Sequence, residues 1–517
     1  MIPTVPPFCL PDGFTAMVHP GMPGFWIAVV LLGMFFSAVW MIFFSAPKQQ
    51  NLPHIDLTLL PGLGPFIKRV TASPTVLIAL KIVFVLIFLT VIAAGLFGNP
   101  IPERNLATVL TWTIWWTLVI ISVFFLGSAW CALCPWDTLA GWMVKQRLWK
   151  RADEEASLNR KPPRWMRSLW PAFVLFVGLT WLELGLGVTL DPVATATLAL
   201  VMVVLATASL AIFERKAFCR YVCPIGRSVG CYSQLAPVAL RPRNQSTCRS
   251  CHTLECYHGT AEIEPCPTHL IMGRFSQNTY CTSCGACVLS CPEQNVTWQL
   301  RSMAVEARSS ARPHWDEAWF MLGLMAMTSF HGVTMMPFWE GWISALARLI
   351  DDSSTLLLSF SIGLLVSLLV PVLFYGLVIG LVCRFSAQTA AFKTLFASFS
   401  FSVLPVAFSY HLAHNLSHLV REGSGFLQVL LNPMGTGLLP LSSAEKHWRA
   451  TSFLIPESVL YALQSGLLLW GFWLGLLILK NRRGDLSWLG VGPVVLFIGA
   501  MSGFNLWLLA QDMVMRF

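Results

Sequence analysis

Long apolar runs separated by short polar connections dominate the chain, and they recur at the length a helix needs to cross a bilayer. A hydrocarbon core of about 30 Å is spanned by about 20 helical residues. The runs predict ten spans, near 24–45, 75–97, 106–127, 171–190, 193–213, 317–338, 355–382, 396–420, 457–479 and 488–510. Between them only residues 214–316 are both long and polar, enough for one small domain. The pattern predicts a polytopic α-helical membrane protein of about ten transmembrane helices with a small α+β insert. Three parts follow: a membrane half at 1–213, the insert at 214–316 and a second membrane half at 317–517.

Composition agrees, since 56% of the 517 residues are hydrophobic and only 11% charged, against about 25% charged in soluble proteins. Charge then orients the spans. When they alternate, 27 of the 34 Lys and Arg fall on one side, among them eight in the loop 127–170 and eleven in 214–316. Basic loops stay in the cytoplasm. The insert is therefore expected on the cytoplasmic side of a bacterial-type inner membrane, with both termini outside. The same rule accounts for the net charge of +9 without a nucleic-acid partner. The proline-rich start, residues 1–23, lacks the basic region of a cleavable leader and reads as a short external tail.

Fifteen cysteines change the picture from a membrane protein to one with metal chemistry. Cys281, Cys284, Cys287 and Cys291-Pro292 form C-x2-C-x2-C-x3-C-P, the run in which three thiolates take one [4Fe–4S] cluster and the fourth reaches another. Upstream stand Cys248, Cys251, Cys256 and Cys266-Pro267 at wider spacing. Crosswise assignment gives one cluster to Cys248, Cys251, Cys256 and Cys291, and the other to Cys266, Cys281, Cys284 and Cys287. The insert is thus expected to be a two-cluster, ferredoxin-like domain. Zinc ribbons also use C-x2-C pairs, but eight cysteines with two Cys-Pro endings favour iron–sulfur.

Two further pairs lie at predicted cytoplasmic helix ends: Cys131-x2-Cys134-Pro135 after the third span and Cys219-x3-Cys223-Pro224 after the fifth. They can converge into one four-thiolate site, where Arg215, Lys216 and Arg220 would favour thiolate. Paired motifs of this kind followed by a two-cluster ferredoxin domain resemble the polyferredoxin-type membrane proteins. Those are encoded with periplasmic nitrate reductase, nitrous-oxide reductase and cytochrome-oxidase assembly systems. The resemblance covers about residues 75–300. It implies that Cys131, Cys134, Cys219 and Cys223 are redox-active and relay electrons between the ferredoxin and the outer face; one member class is linked to cupric-ion reduction. The chain departs in its first pair, with two intervening residues rather than three. It also lacks an external flavin domain and carries a second membrane half outside the family pattern. A further cluster or metal, a dithiol relay and a copper-handling site all stay open for these pairs. Cys231 reads as a bystander, and Cys9 and Cys383 as unremarkable thiols.

In the second half His411, His414 and His418 fall on one helical face, and the sixth span brings His331-Gly332 with Met335 and Met336. Ionisable side chains inside a bilayer are costly and usually mark function. Haem b would take His331 with His411 or His418, Gly332 letting a flat ring approach; a copper or iron site would take three or four imidazoles. Interhelical hydrogen bonding is the plain alternative. Glu183 reads as a loop-end carboxylate, Lys81 as snorkelling to the surface, and the tryptophans mostly as interfacial belt.

Together these features predict a transmembrane electron wire. A cytoplasmic donor feeds the two clusters, the Cys-Pro pairs come next, and a His-bound centre hands electrons to a periplasmic redox protein or metal ion. The rivals are a membrane metal-ion (copper) or quinone reductase, and an electron-supplying maturation factor for a periplasmic metalloenzyme.

Overall fold

The computed structural model describes residues 18–45, 54–146, 157–353, 355–385 and 391–514. Cys9 and the rest of the tail to residue 17, together with Lys48, Arg147, Lys150 and Arg151, lie outside the described residues. Among the described residues eight helices are long and apolar enough to cross a membrane: Gly24–Phe44, Pro74–Phe97, Leu106–Leu126, Pro192–Ile212, Leu357–Phe385, Phe392–Leu431, Glu457–Arg482 and Gly492–Ala510. A ninth arises if Trp315–Thr334 and Pro337–Ile350, bent by 94°, count as one span. The ten expected runs all fall on helices, but two are cut short. The fourth is only Trp170–Gly185, 16 residues, because Gly187 turns left-handed at φ 65° and Pro192 starts the next helix. The sixth breaks at Met335–Met336, where Pro337 opens a new helix at its first position.

Two helices form the centre of the bundle. Trp315–Thr334 and Leu404–Glu422 are buried on almost every face, and their aromatic and Met side chains join the main apolar core. A helix that is apolar nearly all round belongs inside, and this shelters His411, His414 and His418 from lipid. Helix Leu404–Glu422 packs chiefly on Glu457–Arg482.

Strands are few. β1 (Val18–His19) pairs antiparallel with β5 (Met513–Val514), so the two ends of the described chain meet on one face of the bundle. A three-stranded antiparallel sheet has the order β2-β4-β3, from β2 (His54–Asp56), β3 (Val238–Pro242) and β4 (Val296–Arg301). β2 comes from the loop after the first span, a strand the hydropathy pattern does not reveal. The polar segment begins inside the bundle: Val229, Cys231, Tyr232 and Leu235 belong to the main core, and the sheet starts only at Val238. The cysteine-bearing part has a small apolar core of its own, with Leu240, Met272 and Val296 fully buried among Cys248, Cys256, Cys287 and Cys291.

Candidate functional site

The Cys134-Pro135 and Cys223-Pro224 motifs work the same way. Proline lacks an N–H and is preset for the first helical position, so one helix stops and another begins there. Cys134 precedes Pro135–Lys145 and Cys223 precedes Pro224–Tyr232, both with cap rather than helical torsions. The Cys223 Sγ accepts the Gly226 N–H at 3.3 Å. A cysteine so placed faces unpaired N–H groups and the positive end of the helix dipole.

The two pairs converge. Cys131, Cys134 and Cys219 each have Cys223 as an electrostatic neighbour. Burial, then Cys223, pushes the Cys131 thiol up to about 12, and burial raises Cys134, Cys219 and Cys223 as well. Desolvation therefore outweighs the nearby cations expected to favour thiolate. Those cations are also engaged elsewhere: Lys216 Nζ lies 2.6 Å from the Asp137 carboxylate, Arg215 donates to the Cys266 carbonyl at 2.9 Å, and Arg220 donates to the Thr268 carbonyl. Lys216 still favours the charged form of Cys219, and the cation acting on Cys131 and Cys223 is Arg227. It is 0% exposed. One of its nitrogens donates to the Thr279 carbonyl, while Nε and Nη2 have no hydrogen-bond partner. A buried guanidinium with two idle donors near Cys131 and Cys223 fits a site that carries negative charge when filled. Lys81 is likewise buried, with Lys216 and Asp137 as neighbours, rather than snorkelling.

Neighbouring thiols in the insert form two groups, which adjoin where Cys287 has Cys256 beside it. Cys248 and Cys256 have Cys251 and Cys291 as neighbours, and Cys281, Cys284 and Cys287 have Cys266. Asn295 ties the first set together, donating from its backbone to Cys291 Sγ at 3.4 Å and from Nδ2 to Cys248 Sγ at 3.3 Å. Among the described residues no three His, Cys, Asp or Glu side chains converge on a single ion.

The second set abuts the Cys-Pro site. Cys281 is an electrostatic neighbour of Cys131, and Ser128 and Ser283 are hydrogen-bonded at 2.8 Å. A Cβ on Gly230 would stand 2.2 Å from the Thr279 carbonyl, so only glycine lets helix Pro224–Tyr232 approach that loop so closely. Buried Glu317 fastens the same loop to the bundle, accepting from Gln234 at 2.9 Å, Gln277 at 2.8 Å and Thr279 at 2.5 Å.

On its other side the Cys-Pro site opens into a cavity of about 630 Å³ lined by Cys131, Cys134, Cys219 and Cys223 and also by His331, His411, His414 and His418. Expected at separate depths, the cysteines and histidines share one space. His331 Nε2 lies 3.5 Å from Glu183 Oε2, so Glu183 is a cavity residue, not a loop end. His414 and His418 meet Nε2 to Nε2 at 3.3 Å, and His418 Nδ1 reaches Glu422 Oε1 at 3.0 Å. His411 Nδ1 pairs with the Tyr232 hydroxyl at 3.2 Å. Gly332 does not await a flat ring: the space a Cβ would need is filled by the Tyr410 hydroxyl, 1.9 Å away. Four tryptophans taken for interfacial belt instead run inward. Trp130 and Trp136 flank the first pair, Trp115 packs on both at 5.6 and 6.3 Å, and Trp116 leads on to His411 at 5.5 Å.

A family model described as 4Fe-4S binding domain matches residues 108–152 and 193–236. Both segments carry a Cys-Pro pair, so the match falls on Cys131, Cys134, Cys219 and Cys223 and not on the run 248–291. The chain is 34% identical over 134 residues to the Escherichia coli K12 protein named "Putative electron transport protein YccM". That alignment covers 25% of this chain and 34% of the relative, so the chain spans about a third of the curated protein it matches. No solved structure matches. The two Cys-Pro segments are thus similar to a 4Fe–4S binding domain, and a quarter of the chain is similar to a protein named for electron transport.

Proposed function

We propose that the chain is a transmembrane electron wire with iron–sulfur centres at three cysteine sets. Cys248, Cys251, Cys256 and Cys291 would hold one [4Fe–4S] cluster, and Cys266, Cys281, Cys284 and Cys287 a second. Cys131, Cys134, Cys219 and Cys223 would hold a further centre. Bound there, such clusters supply one-electron transfer at potentials set by nearby charge, hydrogen bonds and burial. The chain's own residues place and tune them: Asn295 clasps two thiols of the first set, Arg227 sets positive charge at the third, and Glu317 holds the second set's loop on the bundle. Electrons would come from a cytoplasmic donor and leave on the periplasmic side for a redox protein or metal ion.

The observation that carries this reading is the continuity of the sets. Cys281 neighbours Cys131, and the Cys-Pro cysteines share a cavity with the histidines. Iron and acid-labile sulfide analysis with EPR of the purified chain tests it. Three sets predict about four iron and four sulfide each, and Cys131→Ser with Cys223→Ser should remove one signal only. Iron without labile sulfide would sink the proposal.

A further inference from the structure

The loop between the first two spans carries an amphipathic face that the rest of the chain leaves uncovered. Helix Gly64–Thr71 half-buries Ile67 and Val70 and leaves Pro65, Phe66, Lys68 and Arg69 exposed. Leu59, Leu63 and Phe66 are 73%, 54% and 63% exposed. Neither Lys68 nor Arg69 has a hydrogen-bond or ion-pair partner among the described residues. Position decides what this face meets. Only Ala72 and Ser73 separate the helix from span Pro74–Phe97. That span has 24 residues, about 36 Å of helix, against a hydrocarbon core of about 30 Å. The short helix thus falls in the headgroup layer.

We infer that residues 59–69 are a docking surface for anionic phospholipid, with Leu59, Leu63 and Phe66 at the acyl boundary and Lys68 and Arg69 on the phosphates. Exposed apolar side chains beside unpaired cations are what an interfacial helix needs, and each cation near a negatively charged leaflet adds to the attraction. The consequence lies in the insert. The same loop supplies β2, paired with β4 at His54–Asp56, so it is fixed to the insert at one end and to a span at the other. Where the helix ends, the Thr71 carbonyl would lie 3.8 Å from a Cβ on Gly285, the residue directly after Cys284. Lipid bound to this helix therefore holds the loop of the second cysteine set at the membrane surface. An acidic protein is the weaker occupant. The bare apolar side chains outnumber the cations, and the adjoining span fixes the helix in a layer that lipid already fills. The inference does not depend on the wire, because this surface stands whatever the thiols hold.

The test is hydrogen exchange of the full chain, read by mass spectrometry, in nanodiscs of phosphatidylcholine alone and of an equal mixture with phosphatidylglycerol. Residues 59–71 should exchange roughly tenfold more slowly in the mixed discs, and high salt should remove most of the difference. Lys68→Glu with Arg69→Glu should abolish the dependence on phosphatidylglycerol. Leu63→Ser with Phe66→Ser should raise exchange of the segment in both discs. Unchanged exchange at residues 299–301, where β4 pairs with β2, shows that a variant is folded. Where exchange there rises, the milder Lys68→Gln with Arg69→Gln takes its place and should lose most of the dependence. Equal exchange of the unaltered chain in both discs overturns the inference, as does a dependence that survives removal of both charges. Protection by glycerol 3-phosphate in phosphatidylcholine discs would mean a small-anion site, and protection by reduced flavodoxin there would mean a protein surface. Either result overturns lipid as the occupant.

Discussion

Ser128 Oγ and Ser283 Oγ share a buried hydrogen bond of 2.8 Å although 155 residues separate them. Ser128 stands three residues before Cys131, and Ser283 lies between Cys281 and Cys284. The bond fixes the distance between two cysteine sets, and electron transfer falls steeply with distance. Ser128→Ala leaves the Ser283 hydroxyl only its 4.0 Å contact with Cys281 Sγ and should cost about 1 kcal/mol. Thermal melts of the cluster absorbance should register the loss, and the double alanine variant should recover part of it.

Arg227 leads to a prediction about potential. Replacing it with Met removes a buried positive charge beside Cys131 and Cys223, which disfavours the more negative, reduced state. One charge several Å away at an effective dielectric of about 20 is worth a few kcal/mol. The midpoint of the Cys-Pro centre should fall by on the order of 100 mV in an EPR-monitored titration. The signals of the 248–291 sets should shift much less.

The apolar core beneath the insert cysteines is small, built on Leu240, Met272 and Val296. So small a core rarely holds a fold without a metal or similar staple. Oxidative removal of iron should therefore make residues 243–295 sensitive to protease while the helical circular dichroism of the bundle persists. Resistance of that segment after iron loss would show the core suffices alone.

Asp56 joins the first-span loop to the insert. Its carboxylate accepts from Thr58 and Thr297 at 2.6 to 2.9 Å and pairs with Arg243 at 2.7 Å. Burial works against the charge, but these partners hold its pKa below the ordinary value. A depressed carboxylate stabilises above its unfolded pKa of about 3.9 and loses that contribution as pH falls through the folded value. Hydrogen exchange at residues 299–301, where β2 pairs with β4, should speed up only below about pH 4. Asp56→Asn should show faster exchange already at neutral pH.

Gly332 and Tyr410 make a steric test. A methyl at Gly332 would collide with the Tyr410 hydroxyl, and overpacking a filled core typically costs about 1–3 kcal/mol. Gly332→Ala should lower the thermal midpoint, and adding Tyr410→Phe should restore part of it.

Much of this protein is legible without coordinates. Apolar runs predict the helices because a bilayer imposes one length on every span. Cysteine spacing predicts the thiol sets because close ligands to one cluster must be close in sequence. The crosswise grouping of Cys291 with Cys248, and of Cys266 with Cys281, is implied by the motif alone. The residues packed around the thiols and histidines are not legible in this way. Glu183, Arg227 and Glu317 carry no motif, and each gains meaning only from a partner far along the chain.

The sequence alone determined a helical membrane protein with cysteine sets suited to iron–sulfur chemistry, since hydropathy and ligand spacing are local properties of the chain. Tertiary structure decided the rest. It broke the sixth run at Pro337, added β2 to the insert sheet, buried Lys81 and gathered four cysteines and four histidines around one cavity. Packing makes those choices, because they depend on which distant side chains fill, or leave open, the space between helices.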